Sequence, residues 1–461
     1  MKALFICCAA LLPLFSAAAD QLTPSGSLLG MGNNTDGQLA GNYSYNTNIP
    51  TEIVSSNVTA VSVGYFHSLW LKNDGSMWGV GEELAGQLGN GTNGGGTGYT
   101  IVPVEIQTNG VTAISGGYDF SLFLKSDGTM WGMGDQGSGQ LGDGTYGSSV
   151  NNYATNVPVK ITNGVAAISA GFEHSLFIRN DGSLWAMGDN TYGELGNGTK
   201  NPTDVPIEIM SSNVQSIAAG TYFSLFVKND GSLWGMGYNG SGQLGKGAAV
   251  SGQTVPIEIE TNGVTASAAG GYYTLFLKSD GTLWGMGQNN YGQLGIGTSS
   301  NTNVPVEITS GVAAIVAGDY DTLIIRNDGS LWANGNDQSG QLGDRMFGGS
   351  LGYTNLPEEI VPGPVIAIAA GYDHSLFVMG VKGPPPGYNQ ITVQTTTYSA
   401  LQFSYVGLAG TNYVLDRTFS LSPPINWLPQ ETNSAGAGGN VVFFNTPDPA
   451  TNNFWRVVSL P

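Results

Sequence analysis

The sequence has 461 residues, a formal net charge of −19 and 71 glycines, which is about twice the usual glycine share of roughly 7%. Charged residues make up 10% of it and aromatic residues another 10%, whereas disordered chains are rich in charge and poor in aromatics. The 14 Lys and Arg are too few to cluster on a phosphate-binding surface. The composition therefore favours a compact glycine-rich protein and excludes nucleic acid as a partner.

The N-terminal segment has the pattern of a secretory signal peptide. One Lys precedes an apolar run over residues 3–15, and Ala17–Ala19 stand directly before Asp20. The apolar run is too short for a permanent membrane helix, and no later stretch is apolar enough for one. We expect a signal peptide over residues 1–19 and a secreted, periplasmic or cell-envelope location after cleavage near Ala19.

Both cysteines, Cys7 and Cys8, lie inside this segment. The mature chain should therefore contain no disulfide, no reactive thiol and no thiolate metal site.

Three motifs then recur about every 50 residues, a period typical of propeller blades. The D-G-x-[LM]-W motif places tryptophans at Trp78, Trp131, Trp185, Trp234, Trp284 and Trp332. The G-[QE]-L motif has seven copies, which end at Leu39, Leu88, Leu141, Leu195, Leu244, Leu294 and Leu342. A proline before a short β-like run also has seven copies, at Pro50, Pro103, Pro158, Pro206, Pro256, Pro305 and Pro357.

One unit contains four β-like runs, which in the fifth copy are "VPIEI", "VTASAAG", "YTLFLK" and "TLWGMG". Asp280-Gly281 joins the last two runs and is a strong hairpin signal. Calcium binding is an alternative role for these repeated aspartates. It is disfavoured because each turn offers one carboxylate and calcium takes six to eight oxygens.

Seven four-stranded units without helical periodicity predict an all-β, seven-bladed β-propeller over residues 20–381. The repeat region begins with a copy of the fourth β-like run at Ser25–Gly32, and the last unit ends after its third run at His374–Gly380. We expect the first segment to supply the fourth strand of the final blade, so that both ends share one blade. Residues 382–387 read as a Pro/Gly linker, and residues 388–461 as a small β-sandwich-like domain.

The repeats resemble those of the regulator of chromosome condensation (RCC1-like) family. The resemblance rests on the G-x-x-H-S-L run at Gly171–Leu176, together with the D-G-x-[LM]-W and G-[QE]-L-G motifs, and covers about residues 25 to 381. It implies a seven-bladed propeller, and this chain would be a secreted bacterial member. Nucleotide exchange on a small GTPase is the best-known activity of the family, and some secreted bacterial members inhibit β-lactamases.

The three histidines, His67, His174 and His374, share one repeat position with Phe120, Phe223, Tyr273 and Asp321. This distribution indicates a packing position, and the repeated tryptophans are interpreted by the same logic as the cores of the blades. Without cysteine or further histidine, zinc sites and Ser-His-Asp machinery are disfavoured, so we predict no catalytic residue, no metal and no cofactor.

Strand parity predicts a binding face. The G-x-x-H turns should share one face of the ring with the long loops of variable length, which we expect to join one blade to the next, while the short Asp-Gly turns should lie on the other face. The candidate residues in the turns are Tyr65, Phe66, Tyr118, Asp119, Phe172, Glu173, Tyr222, Tyr272, Asp319, Tyr320, Tyr372 and Asp373. The long loops add Tyr99, Tyr153, Phe347 and Tyr353. The alternative is that these rings only plug the central channel.

These observations favour a secreted, non-enzymatic recognition propeller that binds an extracytoplasmic protein through an aromatic and acidic face. An inhibitor or a surface-interaction protein would be a special case of this function. A glycan is an alternative partner. Two other functions stay open: a nucleotide-exchange regulator, implied by the resemblance, and a carbohydrate-active enzyme that pairs carboxylates such as Asp119 and Glu173.

Overall fold

The computed structural model describes residues 25–41, 45–92, 97–145, 154–247, 250–346 and 352–380, and six strands between 391 and 459. The chain divides into two compact units, Met1–Val381 and Lys382–Pro461. All 33 elements in the described residues are β-strands, which confirms the all-β prediction. The predicted signal peptide (1–19) and linker (382–387) lie outside the described residues.

The strands of the first unit are short and follow one another in antiparallel order. They are β1 (Gly26–Gly32), β2 (Thr47–Val63), β3 (His67–Lys72), β4 (Met77–Glu82), β5 (Tyr99–Gln107), β6 (Val111–Gly116), β7 (Phe120–Lys125), β8 (Met130–Asp135), β9 (Ala154–Thr162), β10 (Val165–Ala170), β11 (His174–Arg179), β12 (Leu184–Gly188), β13 (Thr203–Met210), β14 (Val214–Ala219), β15 (Phe223–Lys228), β16 (Leu233–Asn239), β17 (Val250–Glu260), β18 (Val264–Ala269), β19 (Tyr273–Lys278), β20 (Leu283–Gly287), β21 (Thr302–Thr309), β22 (Val312–Ala317), β23 (Asp321–Arg326), β24 (Leu331–Asn336), β25 (Tyr353–Val361), β26 (Val365–Ala370) and β27 (His374–Gly380).

These strands form seven blades. Blades 2 to 6 are the four-stranded sheets β6–β9, β10–β13, β14–β17, β18–β21 and β22–β25. The remaining sheet has the order β26-β27-β1-β2-β3-β4-β5 and contains two blades, because the long strand β2 belongs to both. The second part of β2 pairs with β3 and forms blade 1 together with β3, β4 and β5. The first part of β2 pairs with β1 and completes blade 7.

Blade 7 closes the ring with strands from both ends of the repeat region, as predicted, but the order of the strands differs from the prediction. Strand β1 pairs with β27 from Gly26↔Gly380 to Gly32↔His374, and its other edge pairs with the first part of β2. Strand β1 is therefore the third strand of blade 7, and β2 supplies the fourth. The sequence repeat and the blade are offset by one strand, because a cyclic pattern can be divided at any strand without changing its period.

The outermost strand of each blade carries a β-bulge before its proline. In blade 3, Ala186 pairs with Ile207 and Gly188 with Thr203, so the outer strand has two extra residues. The Oγ1 atom of Thr203 donates to the carbonyl oxygen of Val205 (2.9 Å) and accepts from its N–H (3.3 Å). The bulge thus satisfies its own backbone, while the Val205 side chain is 47% exposed.

The hydrophobic core lies between neighbouring blades. One cluster joins Leu176 and Leu184 of blade 3 to Ile217 and Phe226 of blade 4, and Leu195 from the G-E-L loop is buried in it. This explains the repeated leucine of the G-[QE]-L motif: each long loop inserts one leucine between two blades.

The second unit is described through six strands: β28 (Ile391–Thr395), β29 (Leu401–Val406), β30 (Asn412–Thr418), β31 (Leu428–Ser434), β32 (Asn440–Asn445) and β33 (Phe454–Ser459). They form two antiparallel three-stranded sheets, with the orders β28-β29-β32 and β31-β30-β33.

Candidate binding face

Hydrogen bonds between turns identify the two faces of the propeller. The N–H of Asp135, where a long loop begins, donates to the carbonyl oxygen of Asp119 in a G-x-x-H-type turn (2.8 Å). The N–H of Val165, after an Asn-Gly turn, donates to Gly128 in an Asp-Gly turn (3.0 Å). The long loops and the G-x-x-H turns therefore share one face, here called the upper face, and the Asp-Gly turns occupy the lower face. The long loops join the third and fourth strands of one blade, rather than two blades.

The inner turns of the upper face are held against one another around the channel. The N–H of Phe172 donates to Gly220 of the next blade (3.3 Å), and the N–H of Asp319 donates to Gly371 (3.0 Å). A Cβ atom added to Gly220 would lie 2.8 Å from the carbonyl oxygen of Gly270. Glycine is repeated here because the turns approach so closely, and the side chains that follow it are rigidly placed.

Those side chains form an aromatic belt around the mouth of the channel. It comprises one half-buried ring from each blade: Tyr65, Tyr118, Phe172, Tyr222, Tyr272, Tyr320 and Tyr372. Ring centroids are 4.0 Å apart for Tyr65 and Tyr372, 4.6 Å for Tyr65 and Tyr118, and 4.2 Å for Tyr118 and Phe172. Ring centroids are 5.6 Å apart for Phe172 and Tyr222 and 6.0 Å apart for Tyr222 and Tyr272. On the other side of Tyr65, the ring of Tyr372 lies 6.0 Å from that of Tyr320. Phe66 also contacts Tyr65.

Three rings that the sequence reasoning missed extend the belt outward. Tyr192 and Tyr238 contact Tyr222 and Tyr272 at 5.2 and 5.8 Å, and Tyr291 contacts Tyr320 at 5.2 Å. Tyr192 and Tyr291 directly precede a G-[QE]-L motif, a sequence signal that could have identified them.

The predicted loop aromatics contribute unequally. Tyr353 lies 6.4 Å from Tyr291, so it joins the edge of the belt. Tyr99 is half-buried in β5 and makes no ring contact among the described residues. Tyr153 and Phe347 lie outside the described residues.

Carboxylates beside the belt form an acidic arc over blades 1 to 3: Glu82, Asp119, Asp135 and Glu173. Burial, and then the nearby charge of Glu82, raise the pKa of Asp119 to about 7. Burial also raises the pKa values of Glu82 and Glu173, and Ser138 donates a hydrogen bond to Glu173 (3.0 Å). Sequence reasoning found Asp119 and Glu173 but missed Glu82 and Asp135, which directly follow the G-x-G of the third strand.

Two further predicted carboxylates, Asp319 and Asp373, lie on the opposite side of the mouth. Thr221 donates to Asp319 (3.1 Å) and Gln341 donates to Asp373 (3.3 Å). Burial raises the pKa of each to about 6. The upper face therefore combines aromatic rings with carboxylates from several blades.

The histidines occupy buried positions between blades, as the packing interpretation predicted. His174 Nε2 lies 2.9 Å from the Oγ atom of Ser224 in the next blade, and His67 makes the same contact with Ser121. Burial lowers the pKa of His174 to about 4, so the ring is neutral near pH 7.

On the lower face, the aspartates of the Asp-Gly turns organise their own turn. Asp181 accepts hydrogen bonds from the N–H and Oγ of Ser183 (2.9 and 2.6 Å), and the Ser183 hydroxyl accepts from Trp185 Nε1 (2.9 Å). The guanidinium carbon of Arg179 lies 4.1 Å from the Trp185 ring centroid. The repeated tryptophans are half-buried at the edge of the core, which corrects their interpretation as blade cores.

A ring of seven four-stranded blades, closed by strands from both ends of the repeat region, defines a seven-bladed β-propeller. The chain belongs to the RCC1-like domain family, whose model matches residues 14–267 and 165–383. The resemblance drawn from the motifs is therefore confirmed.

Two relatives illustrate the similarity. The chain is 28% identical over 202 residues to the ultraviolet-B receptor UVR8 of Arabidopsis thaliana, which covers 41% of this chain and 44% of the receptor. It is 34% identical over 220 residues to the RCC2 homolog of Xenopus laevis, covering 41% and 42%. The chain thus matches less than half the length of these curated relatives.

Solved structures share the fold. Human WBSCR16 has a TM-score of 0.69 at 21% identity, covering 77% of this chain and all of that one. Prp20p of Saccharomyces cerevisiae has a TM-score of 0.68 at 17% identity, covering 79% and 93%. No helix among the described residues has the length and apolar character needed to cross a membrane.

Proposed function

We propose that this protein is a secreted, non-enzymatic recognition propeller that binds a protein partner through the aromatic belt and the carboxylates of the upper face. The observation that carries the proposal is the belt itself: all seven blades contribute a half-buried ring to one surface. Rigid Tyr and Phe side chains bury large areas at little entropic cost and dominate many interfaces.

The charge of the upper face favours a basic or mixed-charge partner. The acidic arc adds carboxylates beside the belt, whereas six Lys or Arg side chains stack on tryptophans at the lower face. Complementary charge would speed association and discriminate among partners.

The expected signal peptide over residues 1–19 supports a partner outside the cytoplasm. An inhibitor of an extracytoplasmic enzyme is a special case of this function.

The test is a comparative capture experiment with the purified protein and secreted and envelope fractions of its source organism. Changing Tyr65, Tyr118 and Tyr372 to Ala should abolish capture of the specific partner. A matched control changes three exposed outer-strand residues, Val102, Val205 and Val304, to Thr. Equal capture by the belt variant and the wild type would contradict the proposal.

A further inference from the structure

The mouth of the channel contains a small cavity at the propeller axis. Its volume is about 120 Å³, and its wall is built mainly from the glycine and alanine ends of all seven inner strands. The non-glycine turn residues that line it are Tyr65, Phe172, Thr221 and Asp319. The cavity thus combines one carboxylate and the Thr221 hydroxyl with two aromatic rings.

Asp319 reaches this position because blade 5 has glycine where most blades carry a side chain. A Cβ atom on Gly271 would lie 2.8 Å from the Asp319 Oδ1 atom. The same oxygen accepts a hydrogen bond from Thr221 of blade 4, which is two blades away (3.1 Å). Asp319 therefore spans the gap in the belt between Tyr272 and Tyr320.

Four tyrosines of the belt lie near enough to this carboxylate to be affected by its charge. Burial is the main cause that raises the pKa values of Tyr65, Tyr222, Tyr272 and Tyr320, and the negative charge of Asp319 contributes at each of them. The charge is therefore close to rings from four different blades.

Asp319 has no cationic neighbour within the described part of the chain. Over those residues the single salt bridge joins Lys278 to Glu260. A buried carboxylate without a counter-charge is costly, and a cation that enters the site removes that cost. Aromatic rings around a carboxylate also attract cations through their faces.

We propose that this axial cavity binds one cationic side chain, a lysine or arginine, whose charge pairs with Asp319 and whose methylene stem lies against Tyr65 and Phe172. The cavity volume of about 120 Å³ is close to the volume of about four water molecules, and it therefore suits the end of one such side chain. The identification of the cation as part of a protein partner rests on the proposed function. Binding of the cationic group alone does not.

The test uses butylammonium and propylguanidinium as side-chain analogues, titrated into the purified full-length protein and followed by ligand-observed NMR. We expect weak, saturable binding of the cations, and at least tenfold weaker binding of neutral 1-butanol. Asp319→Asn keeps an acceptor for Thr221 but removes the charge, and should weaken cation binding at least tenfold.

Glu307→Gln is the control, because it removes one negative charge from an exposed outer-strand carboxylate that does not line the cavity. Its affinity for the cations should stay within twofold of the wild type. Equal binding of 1-butanol, an unchanged affinity in Asp319→Asn, or absence of saturable binding would each overturn the inference.

The two proposals fail independently. If the belt variant loses partner capture but the wild type binds no cation, the proposed function is supported and the axial site is refuted. Cation binding that depends on Asp319, without any partner dependent on the belt, would leave the axial site alone.

Discussion

The Nε2 atom of His374 in blade 7 lies 3.1 Å from the Oγ atom of Ser68 in blade 1, and both residues are buried. Ser68 donates its own hydrogen to the carbonyl oxygen of Gln38 (2.6 Å), so the histidine must be the donor to Ser68. The chain of bonds crosses the boundary between the last blade and the first. His67 with Ser121 and His174 with Ser224 repeat it at two other boundaries.

These neutral histidines should make the fold sensitive to acid. The pKa of His174 is lowered by burial from 6.5 to about 4, so below pH 6.5 the unfolded state binds a proton that the folded state excludes. At pH 5 this costs about 2 kcal/mol of stability. His174→Phe introduces the residue found at this position in the flanking blades, Phe120 and Phe223. We expect its melting temperature to fall less between pH 7 and pH 5 than that of the wild type.

Ser175→Ala is the control for this experiment, because it removes a buried hydrogen bond to Gln140 (2.7 Å) without removing a titrating group. Its melting temperature should be lowered by the same amount at both pH values. Parallel pH curves for the wild type and His174→Phe would show the prediction to be wrong.

Asp321 occupies the histidine position in blade 6 and has the opposite pH dependence. Burial, and then the charge of Asp373, raise its pKa well above the ordinary aspartate value of 3.8, so stability falls as the pH rises above 3.8. Asp321→Asn retains an acceptor for Ser375 and should raise the melting temperature at pH 7 but not near pH 3.

Asp280→Asn provides the contrast. The hydrogen bonds from Thr282 lower the pKa of Asp280 on the lower face. This variant should therefore be less stable than the wild type at pH 7. A lower melting temperature for Asp321→Asn at pH 7 would contradict the assigned cause.

Gly220 should tolerate no side chain. An added Cβ atom would lie 2.5 Å from Phe223 and 2.8 Å from the carbonyl oxygen of Gly270, so Gly220→Ala should cost about 1–3 kcal/mol of unfolding free energy. Denaturant unfolding measures this, with the exposed Ser211→Ala on the lower face as the control. A difference below the error of the control would refute the steric argument.

Closure through β1 predicts a local effect at the far end of the repeat region. Leu28 is fully buried in the closing blade, and Leu28→Ala should cost about 2–5 kcal/mol. Hydrogen exchange should accelerate in β27, which pairs with β1. Leu233→Ala, at the same repeat position in blade 4, should instead accelerate exchange in β15 and β17. Unchanged exchange of β27 in Leu28→Ala would contradict the closure.

The repeated motifs were enough to predict the number of blades and the ring closure, since each motif marks one strand or loop. The belt followed from parity alone, because successive turns of an antiparallel sheet alternate between its ends. The strand offset could not be deduced, since a repeated pattern does not show at which of its four strands a blade begins.

Interactions between blades were also out of reach. Asp319 lines the axial cavity where Gly271 leaves room for its side chain and Thr221 supplies a hydroxyl from two blades away. The raised pKa of Asp119 likewise depends in part on the charge of Glu82 in a different blade. Such pairings depend on three-dimensional proximity between residues that are far apart in the chain.

The bulges at Thr203 and Val205 and their counterparts have a consequence for the rim of the disc. Unpaired backbone groups on an edge strand normally recruit further strands and lead to edge-to-edge aggregation. Here the Thr203 hydroxyl forms hydrogen bonds with both the N–H and the carbonyl oxygen of the exposed Val205, and the proline that follows has no N–H. The rim can thus present aliphatic side chains such as Val157 and Val304 in one blade after another without offering a template on which another sheet could grow.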